Sequence, residues 1–117
     1  MSSSGVRRRA WSLEGARLVL SDVRARTQRA VERIDQLGGP GGAVGEEGGG
    51  SGENAEAVQE ALSAWVREME ALGVEVKGPW LVDFDCGSGY YCWRWPEAEL
   101  AYFHGYDEGF EGRVRIQ

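Results

Sequence analysis

The chain has only two cysteines and one histidine in 117 residues. Two cysteines are too few for a disulfide scaffold, and a single histidine is thin support for a metal centre. No apolar run is long enough to span a membrane. The arginines at 7, 8 and 9 are followed by no apolar stretch, because Ser12, Glu14 and Arg17 interrupt what comes next, so a secretory signal is not expected. These absences point to a soluble, cytoplasmic chain with reduced thiols, away from the membrane.

The length suits one domain. Between Gly38 and Gly52 there are nine glycines in fifteen residues. Such a stretch reads as a linker, since it buries little and loses much entropy if ordered. Residues 1–10 read as a disordered tail, with the domain running from 11 to 117. About ninety residues remain to build a core, a modest number that leaves room for help from a partner subunit. The net charge of −6 conceals an asymmetry: residues 1–37 carry eight arginines against four acids, and residues 38–117 carry five basic residues against fifteen acids. A nucleic-acid binder is usually basic over its folded part. This acidic balance argues against nucleic acid.

Apolar residues recur at Leu13, Ala16, Leu20, Val23, Ala30, Ile34 and Leu37, with Thr27 as the one polar member of the series. Alternating steps of three and four describe a coiled-coil-like stripe and predict a first helix within 11–37. Ser12 suits its N-cap, Glu14 its first turn, and Trp11 a hydrophobic staple on Ala16. Ala55, Val58, Leu62, Trp65, Met69 and Leu72 repeat the stripe and predict a second helix over 53–72, ended by Gly73 and a Schellman contact from Val74. The first helix is basic outside its stripe and the second acidic, so flanking ion pairs are expected to select how the two meet.

After Gly73 the apolar period falls to two. Trp80 to Asp85 and Tyr90 to Trp95 read as strands around a Cys86–Gly89 turn, Glu99 to His104 as a third, and Val74 to Lys77 as a further edge strand. The fold class expected is α+β: an antiparallel long-helix hairpin on an antiparallel β-meander of three or four strands spanning 74–104, then a C-terminal loop over 105–117. Pairing Phe84 with Tyr91 and Val82 with Trp93 makes one sheet face apolar. A two-residue turn at Pro96-Glu97 would pair Arg94 with Glu99 and Trp93 with Leu100. Tyr102 and His104 then fall on the apolar face, and Asp83, Arg94 and Glu99 form a charge cluster outside.

The motifs Leu81-Val82-Asp83-Phe84, Cys92-Trp93-Arg94, Tyr102-Phe103-His104 and Asp107-Glu108-Gly109-Phe110-Glu111-Gly112-Arg113, with Glu97 and Glu99-Leu100 between them, resemble those of a family of small prokaryotic proteins catalogued as domain of unknown function 2203. Trp11 to Ala16 and Leu72 to Lys77 are similar to its helix opening and to the segment after its second helix. Trp95-Pro96, Phe103 and Ser21 depart from its usual residues. The resemblance implies the fold and the candidate positions, and carries no activity with it.

The candidate site residues are Asp83, Arg94, Glu97, His104, Asp107, Glu108 and Arg113. His104 with Asp107 and Glu108, completed by Asp83 or Glu97, has the donor types of a divalent-metal or acid/base centre. The spacing matches no strong zinc signature, so neither metal nor cofactor is assigned. A Cys92–His104 nucleophile pair is disfavoured because this register puts the two on opposite faces. Arg94 and Arg113 among Glu97, Glu99, Asp107 and Glu108 suit a small anion or peptide terminus, but fit better as ion pairs pinning the last loop. The ten aromatics between Trp80 and Arg113 fit core packing better than a stacking platform, which needs a basic groove. The leading expectation is a non-enzymatic interaction or assembly module, meeting a second copy or a protein partner through the helical hairpin. The alternative is a small metal-dependent or acid/base hydrolase centred on His104 and Asp107/Glu108.

Overall fold

The computed structural model describes residues 10–38 and 51–116. The expected tail and glycine-rich linker lie outside them, apart from Ala10, Gly38 and the first residues of the second helix. Helix α1 runs Leu13–Gln36 and helix α2 Ser51–Leu72. Ser12 caps α1, its Oγ accepting from the Gly15 N–H at 2.9 Å. The stripe is buried as its spacing dictates, at Ala16, Leu20, Val23, Thr27 and Ile34. On α2 it is buried at Trp65 and Met69, while Ala55 is exposed. The end of α2 is a Schellman motif: Val74 N–H bonds the Met69 carbonyl, Gly73 N–H bonds that of Glu70, and Gly73 takes a φ of 93°. Val74 and Met69 are both buried, supplying the apolar contact of that motif.

The helices run antiparallel, since Arg26 meets Glu68, Thr27 meets Trp65 and the Leu37 carbonyl meets Asn54. The polar member of the stripe is explained here: Thr27 Oγ1 accepts from the buried Trp65 indole N–H at 2.8 Å. Of the expected flanking ion pairs across the seam, Arg26–Glu68 forms at 3.3 Å. Arg17 and Arg24 turn instead to the loop before the fourth strand, donating to the carbonyls of Leu100 and Glu97.

The sheet has five antiparallel strands in sequential order: β1 Glu75–Gly78, β2 Leu81–Asp85, β3 Tyr90–Arg94, β4 Tyr102–His104 and β5 Val114–Arg115. This is one strand more than the largest number expected. The C-terminal segment is not a plain loop: it makes a 3-10 turn at Phe110–Gly112 and then pairs as β5, Phe103 opposite Val114. The β2–β3 register is the expected one, with Val82 opposite Trp93, Asp83 opposite Cys92 and Phe84 opposite Tyr91. Trp80, at the tip between β1 and β2, holds a φ of 63°, an unusual conformation for a bulky residue, while its ring packs edge-on against Trp65 at 4.9 Å.

The β3–β4 pairing corrects the sequence reading. The expected two-residue turn is replaced by a wider connection over 95–101, and Tyr90 faces His104, Tyr91 faces Phe103 and Cys92 faces Tyr102. Relative to the expectation the register slips by one residue, which moves every β4 side chain to the other face. Phe103 now joins the apolar face, while Tyr102 and His104 leave it. The loop begins with a tight turn in which the Glu97 N–H bonds the Arg94 carbonyl at 2.8 Å. Trp93 Nε1–H needs an acceptor and finds the Glu97 carbonyl at 2.9 Å, and Glu97 Oε1 accepts from the Arg94 N–H at 2.9 Å. Leu100 still reaches the core, from the loop rather than from a strand.

The core lies between hairpin and sheet: Ala16, Leu20, Val23, Trp65 and Met69 against Val82, Phe84 and Trp93. Burying each large apolar side chain contributes about 1.5–3 kcal/mol. Trp11 closes one end. Its ring packs edge-on on Phe84 at 5.2 Å, its N–H bonds the Asp85 carbonyl and its indole N–H the Gly73 carbonyl. No helix among the described residues is long and apolar enough to cross a membrane.

Candidate functional site

The face of the sheet turned away from the helices carries a polar network that the C-terminal segment covers. Asp83 on β2, Cys92 on β3 and His104 on β4 meet there because Asp83 and Cys92 are direct cross-strand partners and His104 lies diagonally beyond them. All three are almost fully buried. A carboxylate oxygen of Asp83, Cys92 Sγ and a ring nitrogen of His104 all lie within 4.8 Å of one another. His104 Nε2 lies 3.0 Å from Asp83 Oδ2, and its Nδ1 lies 2.9 Å from the Gly105 carbonyl. Lys77, from edge strand β1, reaches the same Asp83 Oδ2 at 3.3 Å and also pairs with Glu75 at 3.6 Å. Asp83 Oδ1 is buried with no hydrogen-bond partner.

The network is roofed by rings. Lys77 Nζ sits 4.0 Å above the Tyr90 ring, and Tyr90 packs against His104 and Tyr106. The Tyr106 hydroxyl donates to Asp85 Oδ1 at 2.6 Å, drawing the turn after β4 over the sheet. Glu108 Oε1 accepts the Gly105 N–H at 2.8 Å, which closes that turn. Arg113 anchors the far end: it is paired through both terminal nitrogens with the Glu97 carboxylate and lies about 4 Å above the rings of Tyr102 and Phe110. Its Nη1 also lies 3.9 Å from Cys92 Sγ, joining this anchor to the buried triad.

Burial pushes the Cys92 thiol up to about 12, the neighbouring Asp83 carboxylate pushes the same way, and Arg113 opposes both. At neutral pH the thiol keeps its proton and is a poor nucleophile. Burial alone would lower the Lys77 ammonium, but Asp83 and, more weakly, Tyr90 and Glu75 carry it above its ordinary value. The hydrogen bond to Asp85, with some desolvation, lifts the Tyr106 phenol to about 12. His104 has both ring nitrogens engaged, an arrangement suited to holding a position rather than to exchanging protons with a substrate.

Of the seven sequence candidates, the structure brings Asp83 and His104 into direct contact and ties Glu97 and Arg113 to them through Cys92. Arg94 is exposed beside the Phe110 ring, 5.3 Å from its centroid, so the expected Asp83–Arg94–Glu99 cluster does not form. Asp83 is buried, whereas Arg94 and Glu99 are exposed. Glu108 serves the turn, and Asp107 is exposed within it. Cys92, set apart from His104 by the expected register, is its near neighbour because β4 is slipped. Lys77, Tyr90 and Tyr106 were missed as members of the network. The pairing of β1 with β2, which sets Glu75 opposite Asp83, was the signal available for Lys77.

No curated protein and no solved structure matches the chain significantly. A family model described as an uncharacterized conserved protein, DUF2203, matches residues 9–116. That span takes in the helical hairpin, all five strands and every residue of the buried network, and the chain belongs to the DUF2203 family.

Proposed function

We propose that this chain is a non-enzymatic assembly module that docks a second copy of itself through the helical hairpin. The observation that carries this reading is Leu18. It is 75% exposed on α1, an otherwise amphipathic helix. Two adjoining grooves share Arg17 beside it. One, of about 470 Å³, is lined by Leu13, Glu14, Arg17 and Leu18. The other, of about 460 Å³, lies between Arg17, Leu20, Ser21 and Arg24 of α1 and Ala98, Glu99 and Leu100 of the loop. Leu18 with Arg17 and Arg24 near it, beside Glu14 and Glu99, suits a partner that brings acidic groups to the arginines. The outward face of α2 is acidic, with Glu56, Glu60 and Glu70 exposed. The modest core supports the same reading, since a second copy adds burial that the monomer lacks.

The hydrolase alternative rests on His104 acting with Asp107 and Glu108. It has less support, because Glu108 is engaged with the Gly105 N–H and Asp107 is exposed in the turn. Sedimentation equilibrium over a concentration series tests the assembly reading. The expected result is reversible dimerisation that weakens with salt and is lost in Leu18→Glu. A wild-type chain that stays monomeric at the highest concentration, or a dimer indifferent to Leu18→Glu, overturns it.

A further inference from the structure

We propose that Asp83, Cys92 and His104 form a binding site for a transition-metal dication of the zinc class. The site is independent of the docking surface on α1. It takes one ligand from each of three adjacent strands, a rigid base for a metal site. Thiolate, imidazole and carboxylate together select zinc-like ions over magnesium or calcium, which prefer oxygen ligands alone.

Three features of the geometry favour an ion over a purely structural triad. First, the ligand atoms lie within 4.8 Å of one another. Zinc-type bonds of about 2.0–2.3 Å set tetrahedral ligands about 3.3–3.8 Å apart, so closure needs a contraction of about 1 Å at the widest pair. Second, His104 is held as metal-bound histidines usually are, with the far ring nitrogen on a backbone carbonyl, here Nδ1 on Gly105 at 2.9 Å. With the proton on Nδ1, the Nε2 lone pair confronts Asp83 Oδ2 at 3.0 Å, two acceptors that need a cation between them. A proton answers that need alone. A metal answers it and also takes up Cys92. Third, Asp83 Oδ1 is buried without a partner, a costly state that a dication beside the carboxylate relieves.

Charge balance agrees. A dication with the Asp83 carboxylate and the Cys92 thiolate is neutral, while the two flanking cations have acids of their own: Lys77 pairs with Glu75, and Arg113 with Glu97. On binding, the Cys92 thiol proton leaves to buffer and the sulfur lone pair passes to the metal, with no change of oxidation state. Arg113 Nη1, 3.9 Å from Sγ, is placed to support the thiolate. Lys77 competes with the metal for Asp83 Oδ2.

The test is titration of chelator-treated full-length chain with cobalt chloride, followed by the thiolate-to-cobalt charge-transfer absorption and by displacement with zinc chloride. The expected result is one equivalent bound, a charge-transfer band kept in Cys86→Ser and lost in Cys92→Ser, and affinity lowered by about tenfold or more in His104→Gln and Asp83→Asn. Lys77→Met removes the competing cation and should tighten binding. No band in the wild-type chain, a band that survives Cys92→Ser, or one that disappears in Cys86→Ser overturns the proposal. Circular dichroism checks that Cys92→Ser folds. If it does not, the Lys77→Met comparison decides, and unchanged affinity there also overturns the proposal.

Discussion

Replacing Thr27 by valine separates two ways of reasoning about this chain. Read as a pattern, the first helix has an apolar stripe spoiled by one threonine, and valine, nearly isosteric, would complete it. The packed structure reverses the sign. Thr27 and Trp65 are both essentially inaccessible, and Thr27 Oγ1 accepts the indole N–H at 2.8 Å. Valine leaves that donor buried and unsatisfied, at a cost of about 1–3 kcal/mol. The added apolar surface returns up to about 0.8 kcal/mol. Helix propensity does not decide the matter, because threonine and valine rank together. The net expectation is destabilisation of about 1–2 kcal/mol, and a loss of roughly 4–8 °C in Tm per kcal/mol for a domain of this size. Urea unfolding analysed by linear extrapolation supplies the difference, with an unchanged slope confirming a comparable transition. Trp65→Phe completes the cycle. With the donor gone, Thr27→Val should cost far less, giving a coupling of about 0.5–3 kcal/mol. A Thr27→Val chain as stable as wild type, or more so, would refute the reasoning.

Two further perturbations address the polar face. Glu97→Gln removes the charged partner of a largely buried Arg113 while leaving the backbone contacts of Glu97 possible, and should cost about 1–3 kcal/mol. Hydrogen exchange should quicken over 105–116 and change little in α1. The Cys92 thiol is raised from an ordinary 9.0 to about 12. The folded state therefore keeps a proton that the unfolded chain releases. Its contribution to stability is complete below the unfolded value and declines as pH rises from about 9 toward about 12. In metal-free protein, unfolding followed across that window should show a fall in stability that Cys92→Ala makes shallower. A slope unchanged by the substitution would assign the alkaline loss to other groups, of which Tyr106 is the first to examine with Tyr106→Phe.

Much of the fold was legible because its causes are local. The stripe from Ala16 to Ile34, the Ser12 cap and the Schellman end at Gly73 and Val74 each depend on a few consecutive residues. The β2–β3 pairing was legible too, since the Cys86–Gly89 turn leaves little freedom and only one register makes a face wholly apolar. Strand β5 was not, because Val114-Arg115 is short and exposed on both residues, so it leaves no apolar alternation to read.

The candidate site was half legible. Asp83, Glu97, His104 and Arg113 stood out as charged residues within specific motifs, but which of them meet depends on the loop over 95–101. That loop is held by partners distant in sequence: Arg24 and Arg17 of α1 donate to the Glu97 and Leu100 carbonyls, and Arg113 pairs with the Glu97 carboxylate, while β4 pairs one residue away from the expected register. A single-residue displacement in a strand exchanges its two faces. The slip took His104 off the apolar side and set it beside Asp83 and Cys92. The sequence by itself determined two helices, their stripes and the first hairpin, through periodicity and turn chemistry acting over neighbouring residues. The tertiary structure alone decided the face of β4, and with it the Asp83–Cys92–His104 meeting, because the loop that leads into β4 is held by Arg17 and Arg24 of α1, contacts between residues far apart in the sequence.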